Sequence, residues 1–408
     1  MRLLFLAPLL AALPSAAFAD PLTFDEALTL AVGQAPSLRA RSLDVDARRS
    51  SVIPAGQLPD PKLSFGLDNF PVSGPPAFTF GGDEMTMARV GISQDLPNPG
   101  KRRARTGFAT AGVGVAEAAQ MAERRRVRIA VALAWIDLAY AERRLALIDS
   151  VLVELRELVS AATSAVTSGT VRPAQALETR QAISRLEDRR SEIAAEVARA
   201  RAILSRWTGD PNPQIEGAIP EFAIDPAALR AAIDQNPELA VAMARTRQSE
   251  ASVEVARADK RPDWGFDVSY QRRYPRYGDM VSVGVRVDLP LFTRRRQDPM
   301  IAASTASAGA ARADQEDLRR ALVADLEAGL ADHAMHHEQW MRARDELLPL
   351  ARQRADLEIV SYSAGRATLI DVIAAQSMFA DAGLLALDRE ALVARDGARL
   401  VLTYGSDQ

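Results

Sequence analysis

Val281-Ser282-Val283-Gly284-Val285-Arg286-Val287-Asp288 sets an apolar residue at every second position and a small, polar or charged one between. Side chains of a strand point alternately to its two faces, so this run predicts a strand with one apolar and one polar face. Immediately upstream, Trp264, Phe266, Val268 and Tyr270 alternate with Gly265, Asp267, Ser269 and Gln271. Far earlier the pattern returns twice. Leu63, Phe65 and Leu67 alternate with Ser64, Gly66 and Asp68, and Ala88, Val90 and Ile92 with Arg89, Gly91 and Ser93. On pattern alone an ordinary half-buried sheet would read the same way.

The N-terminus bears on that choice. Arg2, an apolar stretch from Leu3 to Leu13, and Ala17-Phe18-Ala19 before Asp20 have the layout of a secretory leader over 1–19. Its apolar stretch is too short to span a bilayer, and no later segment offers ~20 uninterrupted apolar residues, so any membrane passage must use strands. The 408 residues contain no cysteine, which excludes disulfides, thiolate metal sites, cysteine nucleophiles and a lipid-modified cysteine. Lys+Arg 50 against Asp+Glu 53 gives a net charge of −3, so no basic field points to nucleic acid.

An exported chain with strands of about ten residues, apolar on one face and ending in Trp, Tyr and Phe, fits a membrane barrel around a watery lumen. Four strands cannot close a barrel, and an open edge in lipid leaves backbone groups unpaired at several kcal/mol each, so copies must combine. The connections 71–84 and 272–279, rich in Pro, Gly, Tyr and charge, read as extracellular loops.

Working outward, the chain is one unit written twice. Gln34-Ala35-Pro36-Ser37-Leu38 matches Gln235-Asn236-Pro237-Glu238-Leu239, and Val90-Gly91-Ile92 leading to Asp95-Leu96-Pro97 matches Val283-Gly284-Val285 leading to Asp288-Leu289-Pro290. The period, roughly 195 residues, is too long for a solenoid and suggests a duplicated supersecondary module. The first repeat is assigned to 20–210, with strands near 62–70 and 85–95, a long helix near 102–167 and a returning helix near 172–207. A linker covers 211–224. The second repeat, 225–408, has strands near 263–272 and 280–289, a long helix near 299–362 with one proline at 349, and a returning helix near 368–403. Thr23 with Glu26 forms a capping box and Asp225-Pro226 an N-cap with proline behind it, so helices begin near 24 and 226. Val131, Leu138, Leu145, Leu152, Val159 and Val166 recur every seven residues, with Ala134, Ala141, Ile148, Leu155 and Ala162 between them: a coiled-coil seam. The fold class predicted is mainly α, long antiparallel coiled coils joined to a β-barrel portion.

Over nearly the whole mature chain these residues resemble the TolC outer-membrane efflux family. The signatures are Leu22-Thr23-Phe24-Asp25-Glu26-Ala27-Leu28 with Ala35-Pro36-Ser37-Leu38, then Gln94-Asp95-Leu96-Pro97, then Tyr362-Ser363-Ala364-Gly365 leading to Leu369-Ile370-Asp371-Val372 and Gln376. Pro99-Gly100-Lys101-Arg102-Arg103 with Arg105 looks most like the branch serving heavy-metal exporters of the CzcC and CusC type. The resemblance implies a homotrimer with twelve strands in one outer-membrane barrel and a helical tunnel in the periplasm. It implies as partners a periplasmic adaptor of the membrane fusion class and an inner-membrane pump of RND type, with no cofactor.

Several residues follow as site candidates. The turns 167–175 and 362–369, with Gly169, Thr170, Tyr362, Gly365, Arg366 and Leu369, correspond to the tip that meets the adaptor in the family, and both glycines also suit C-caps. Asp371 lies where an acidic ring narrows the duct of an enteric relative, although that relative's next acidic position is Ala374 here; the other reading is a solvated helix carboxylate. His333 and His337 have the spacing to share one metal ion, while His333 and His336 also fall on a seam with Leu322, Leu326, Trp340, Leu347 and Leu350, where they would simply pack. Lys101, Arg102, Arg103, Arg294, Arg295 and Arg296 start the long helices, where the macrodipole disfavours cations, and anionic lipid headgroups at the membrane interface would offset this.

No Gly-x-x-x-x-Gly-Lys-Ser/Thr motif and no His-x-x-x-His with a glutamate between are present, so no catalytic site is assigned. The reading is a passive exit duct for substrates such as heavy-metal cations, with drug efflux or type I protein secretion as alternatives. A periplasmic coiled-coil adaptor or scaffold is the reading of another class, and it predicts no membrane strands.

Overall fold

A computed structural model describes residues 21–166 and 173–405, and side chains throughout these except 158–166 and 173–176. The segment 1–19, read above as a leader, and Gly169 and Thr170 lie outside the described residues. The described residues divide into two compact units: 21–35, 127–166, 173–224 and 329–402 lie in one, and 36–126, 225–328 and 403–405 in the other.

The second of these carries the sheet. β1 (Lys62–Asp68), β2 (Met87–Leu96), β3 (Asp263–Arg273) and β4 (Met280–Asp288) pair antiparallel in the order β1-β2-β3-β4. Register aligns the alternation across all four. Leu63, Ile92, Val268 and Val283 form one row, Phe65, Val90, Tyr270 and Val281 the next, and Ser64, Gly91, Ser269 and Ser282 a row on the other face. A slip of one residue at any pair would turn that strand's apolar side chains to the polar face. The repeats meet at the β2–β3 pair.

Helices α2 (Pro36–Ala55) and α6 (Pro237–Ala258) lead into the two hairpins. Asn236 caps α6, its Oδ1 accepting from Glu238 N at 2.8 Å, and the short α5 (Pro226–Ala231) starts on Asp225 with Pro226 behind it. Between α5 and α7 (Gln297–Arg342), Arg230 Nε donates to Glu327 Oε1 at 2.6 Å.

The other unit is helical. α1 (Phe24–Gln34) opens on the Thr23–Glu26 capping box. Trp135 fixes this end of the chain, donating from Nε1 to Leu22 O at 3.1 Å and meeting Phe24 edge-on at 5.6 Å. α3 (Pro99–Val166) contributes its second half to this unit, packed against α4 (Pro173–Thr208) and α9 (Leu369–Tyr404). Ile148, Val151, Leu152 and Leu155 of α3 meet Leu186 and Ile193 of α4 and Ile373, Ala380 and Leu384 of α9. Each large aliphatic side chain so buried stabilises the fold by about 1.5–3 kcal/mol. Over one 18-residue window α9 is apolar enough to cross a membrane, with mean hydropathy 1.5, but Ile373, Ala380 and Leu384 are its contribution to this helical core.

Two expectations need correction. The helix drawn over 299–362 is interrupted: α7 ends at Arg342, a π-helical turn occupies Ala343–Leu347, and α8 runs Leu348–Ser363. Pro349 has no N–H to donate to the preceding turn, and the wider turn accommodates that missing bond. The inserted turn also rotates the seam, so Leu347 and Leu350 stand outward, Leu350 being 62% exposed, while Ala343 and Ala355 are buried. Second, Arg294 and Arg295 belong to a 3-10 turn, Thr293–Arg295, and α7 starts only at Gln297. That cluster precedes the helix and escapes the first-turn dipole penalty.

Candidate functional site

The sheet presents two chemically opposite surfaces. On one, Leu63, Phe65, Leu67, Val90, Ile92, Trp264, Phe266, Val268, Val281, Val283 and Val285 are all exposed, Phe65 and Val283 both at 72%. No soluble domain gains by holding an eleven-residue apolar surface toward water; such a surface belongs against lipid or another chain.

The opposite surface is laced with charge. Asp95 accepts from Lys62 Nζ at 2.7 Å and from Arg286 Nη2 at 2.6 Å, and Arg89 meets Asp68 at 2.9 Å. Glycine makes these reaches possible: a Cβ at Gly265 would stand 2.9 Å from Arg286 Nη2, and one at Gly284 would stand 2.6 Å from Asp267 Oδ1. Nearer the far end, Gln271 Nε2 donates to Ser269 Oγ at 2.7 Å and Ser282 Oγ at 3.0 Å. Sequence periodicity put these residues on one face; their pairing needed the strand register.

At the helix-α8 end, Gly365 has φ +73, a left-handed conformation that disfavours any side chain. Arg366 N donates to Ser361 O at 2.9 Å and Gly365 N to Tyr362 O at 2.9 Å, the two bonds of a Schellman stop. The next helix is capped at once. Asp371 Oδ2 accepts from Thr368 N at 2.9 Å and Thr368 Oγ1 at 2.6 Å, and these two donors hold its carboxyl below the usual carboxylate range. Arg366 is exposed, while Leu369 packs on the helical core. Of the sequence-chosen tip residues, Tyr362, Gly365, Arg366 and Leu369 fall together in this turn.

The histidines diverge. His336 Nδ1 lies 2.6 Å from Asp396 Oδ2, a partner that spacing within α7 could not reveal. His333 and His337 have ring centroids 6.3 Å apart, and His333 Nδ1 is buried without a hydrogen-bond partner. Among the described residues no three His, Cys, Asp or Glu side chains gather as a metal site.

The basic cluster at α3 also divides. Lys101, 9% exposed, turns inward, its Nζ 2.7 Å from Asp263 Oδ2, so it is not available to a membrane surface. Arg102 reaches Gly56 O at 3.4 Å, and Arg103 Nε reaches Pro99 O at 3.4 Å. Asp263 is the residue that sequence reasoning missed: it also accepts from Asn98 N at 2.8 Å, tying the start of β3 to the start of α3.

Comparison with known proteins places this geometry. A family described as "Outer membrane efflux protein" matches residues 27–210 and 228–406, one match per repeat. The cobalt-zinc-cadmium resistance protein CzcC of Cupriavidus metallidurans is 24% identical over 365 residues, 88% of this chain and 84% of that protein. Among solved structures, CusC superposes with a TM-score of 0.81 at 15% identity, covering 94% of this chain and 92% of that one. The Campylobacter jejuni CmeC outer membrane channel gives 0.79 at 13% identity, covering 94% and 85%.

Proposed function

Because the chain belongs to the outer membrane efflux protein family, we propose that it forms the passive exit duct of a tripartite export system, as a trimer whose twelve strands close one barrel. The family is one of outer-membrane channels and not of enzymes. The observation that carries the proposal is the two-faced sheet with β1 and β4 at its open edges. In hydrocarbon every unpaired edge N–H or C=O costs several kcal/mol, so such a sheet is stable in a bilayer only when neighbouring copies satisfy both edges. The apolar rows then face lipid and the Asp95–Arg286 side lines an aqueous lumen.

The same reading assigns the Gly365 turn, with Tyr362, Arg366 and Leu369, as contact for a periplasmic adaptor, and Asp371 as a carboxylate repeated three times around the duct. Gly169 and Thr170 are assigned to the matching turn of the first repeat. An inner-membrane pump of RND type would supply the energy, and Arg102, Arg103 and Arg294 to Arg296 would face lipid headgroups. The leader over 1–19 directs export in this scheme. Heavy-metal cations are the proposed cargo, supported by the likeness to a protein named for cobalt, zinc and cadmium resistance.

Two experiments test this. The chain lacks cysteine, so Ser64→Cys in β1 and Ser282→Cys in β4 introduce the only thiols. Short bifunctional thiol reagents applied to membranes should yield a covalent trimer; monomer alone would overturn the barrel. A deletion strain should become sensitive to cobalt, zinc, copper or silver, whereas sensitivity to drugs alone, or loss of an exported polypeptide, would replace the metal cargo.

A further inference from the structure

A groove of about 640 Å³ beside the start of α3 is lined by Gly100, Arg103, Glu254, Arg257 and Arg261 among others. Arg257 is paired with Glu254 at 2.7 Å, but neither Arg103 nor Arg261 has a carboxylate partner among the described residues. Arg261 lies directly across the first turn of α3. A Cβ at Gly100 would stand 1.6 Å from Arg261 Nη1 and 2.6 Å from its Cζ, so glycine is required there for the guanidinium to occupy this place.

Such an arrangement is unfavourable when empty. The first turn of a helix carries a partial positive charge, and a guanidinium laid over it, with a second beside it, adds like charge. Asn98 already caps that turn, its Oδ1 accepting from Gly100 N at 2.8 Å, so the groups an oxyanion would satisfy are the two guanidiniums. Phosphate suits the planar fork of arginine, which binds it through two parallel N–H donors.

The position in the chain favours a lipid. Gly100 lies four residues beyond Leu96, the end of β2, and Arg261 three before Trp264, the first outward side chain of β3. Leu289, Leu291 and Phe292, just past β4, are exposed at the corresponding end of the next strand. Headgroups occupy a layer about 5–8 Å deep on each side of the hydrocarbon, and a few residues of chain past the last apolar position reach it.

We propose that this groove binds the phosphate of an anionic phospholipid, held by Arg261 and Arg103 and kept open by Gly100. The inference rests on the sheet standing in a bilayer. The test uses full-length protein in detergent, titrated with dihexanoyl phosphatidylglycerol and, separately, with inorganic phosphate. Arg261→Gln should weaken phosphatidylglycerol binding about tenfold, the loss expected for one charge-assisted pair. Gly100→Ala should weaken it as well, by displacing the guanidinium while leaving every charge in place, and Arg103→Gln serves if Arg261→Gln fails to assemble. Unchanged lipid binding in these variants overturns the groove. Inorganic phosphate bound as tightly as the lipid overturns the lipid assignment in favour of a soluble anion. Protein that leaves the membrane fraction without detergent overturns the bilayer reading itself, a result separate from either.

Discussion

Arg286 reaches across Gly265 to Asp95, its Nη2 2.6 Å from Asp95 Oδ1, and so ties the fourth strand to the second over the third. Lys62 on the first strand meets the other oxygen of the same carboxylate at 2.7 Å. One aspartate therefore sits between two cations drawn from both edges of the sheet. Exposed ion pairs of this kind stabilise by no more than ~1 kcal/mol, so the ladder matters more for the charge it sets on this face than for holding the strands.

Asp95→Asn should for that reason leave the assembly about as stable as before, yet unmask Lys62 and Arg286 on every protomer of the proposed trimer. Planar-bilayer recordings under a salt gradient check this. The reversal potential should move toward anion preference, and an unchanged potential would remove the polar face from the lumen.

Val268 lies in the middle row of the apolar face and Ser269 beside it on the polar one. Val268→Arg should cost about 2–4 kcal/mol, the value for a cation on the lipid side near the bilayer midplane, while Ser269→Arg should be tolerated. The measurement is the amount of assembled protein in the outer-membrane fraction. Equal yields from both variants would mean that the two faces see the same solvent.

The alternation at Val281–Val287 and the sevenfold recurrence through Leu138 and Leu152 were legible because an element whose two faces meet different surroundings imposes the period of its backbone on the choice of residue. Cross-strand and cross-helix partners left no such trace. Lys101 carries the same charge whether it meets a headgroup or Asp263, and only the packing of α3 against the foot of β3 brings that carboxylate within 2.7 Å. Pro349 stood inside a helix drawn unbroken over 299–362, and nothing in the sequence showed that a π-helical turn would leave Leu350 outward. His336 likewise gave no hint of Asp396, sixty residues away.

Gly365→Ala should destabilise the turn between α8 and α9 by about 1–2 kcal/mol, since the left-handed conformation at φ +73 disfavours a Cβ even though open space surrounds it. Gly365→Asn should cost less, because asparagine tolerates that region. Amide exchange at Gly365 and Arg366 would report the change. Asp371 adds a pH dependence to the same turn: its folded pKa is depressed by the Thr368 donors, so its contribution is present at neutral pH and is lost as pH falls below the ordinary carboxylate value toward the folded one. Asp371→Asn should abolish that acid-side loss of protection while leaving the Schellman bonds intact, and an identical acid profile in both proteins would sink the assignment.

His333 predicts a change at milder pH. Burial is the leading cause that holds its pKa below the ordinary imidazole value; Asp396 pulls it upward, and His337 and His336 push it further down. The folded state thus binds a proton there less readily than the unfolded one. Stability is unaffected well above pH ~6.5, and it declines as pH falls from that value toward the lower folded one, where the unfolded chain takes up more protons. His333→Gln removes this group while keeping a polar side chain of similar reach, so the thermal midpoint of the variant should fall less than that of the wild type between pH 7.5 and 5.5. Parallel midpoint curves for the two proteins would show that the ring at 333 titrates as freely in the folded helix as in the unfolded chain.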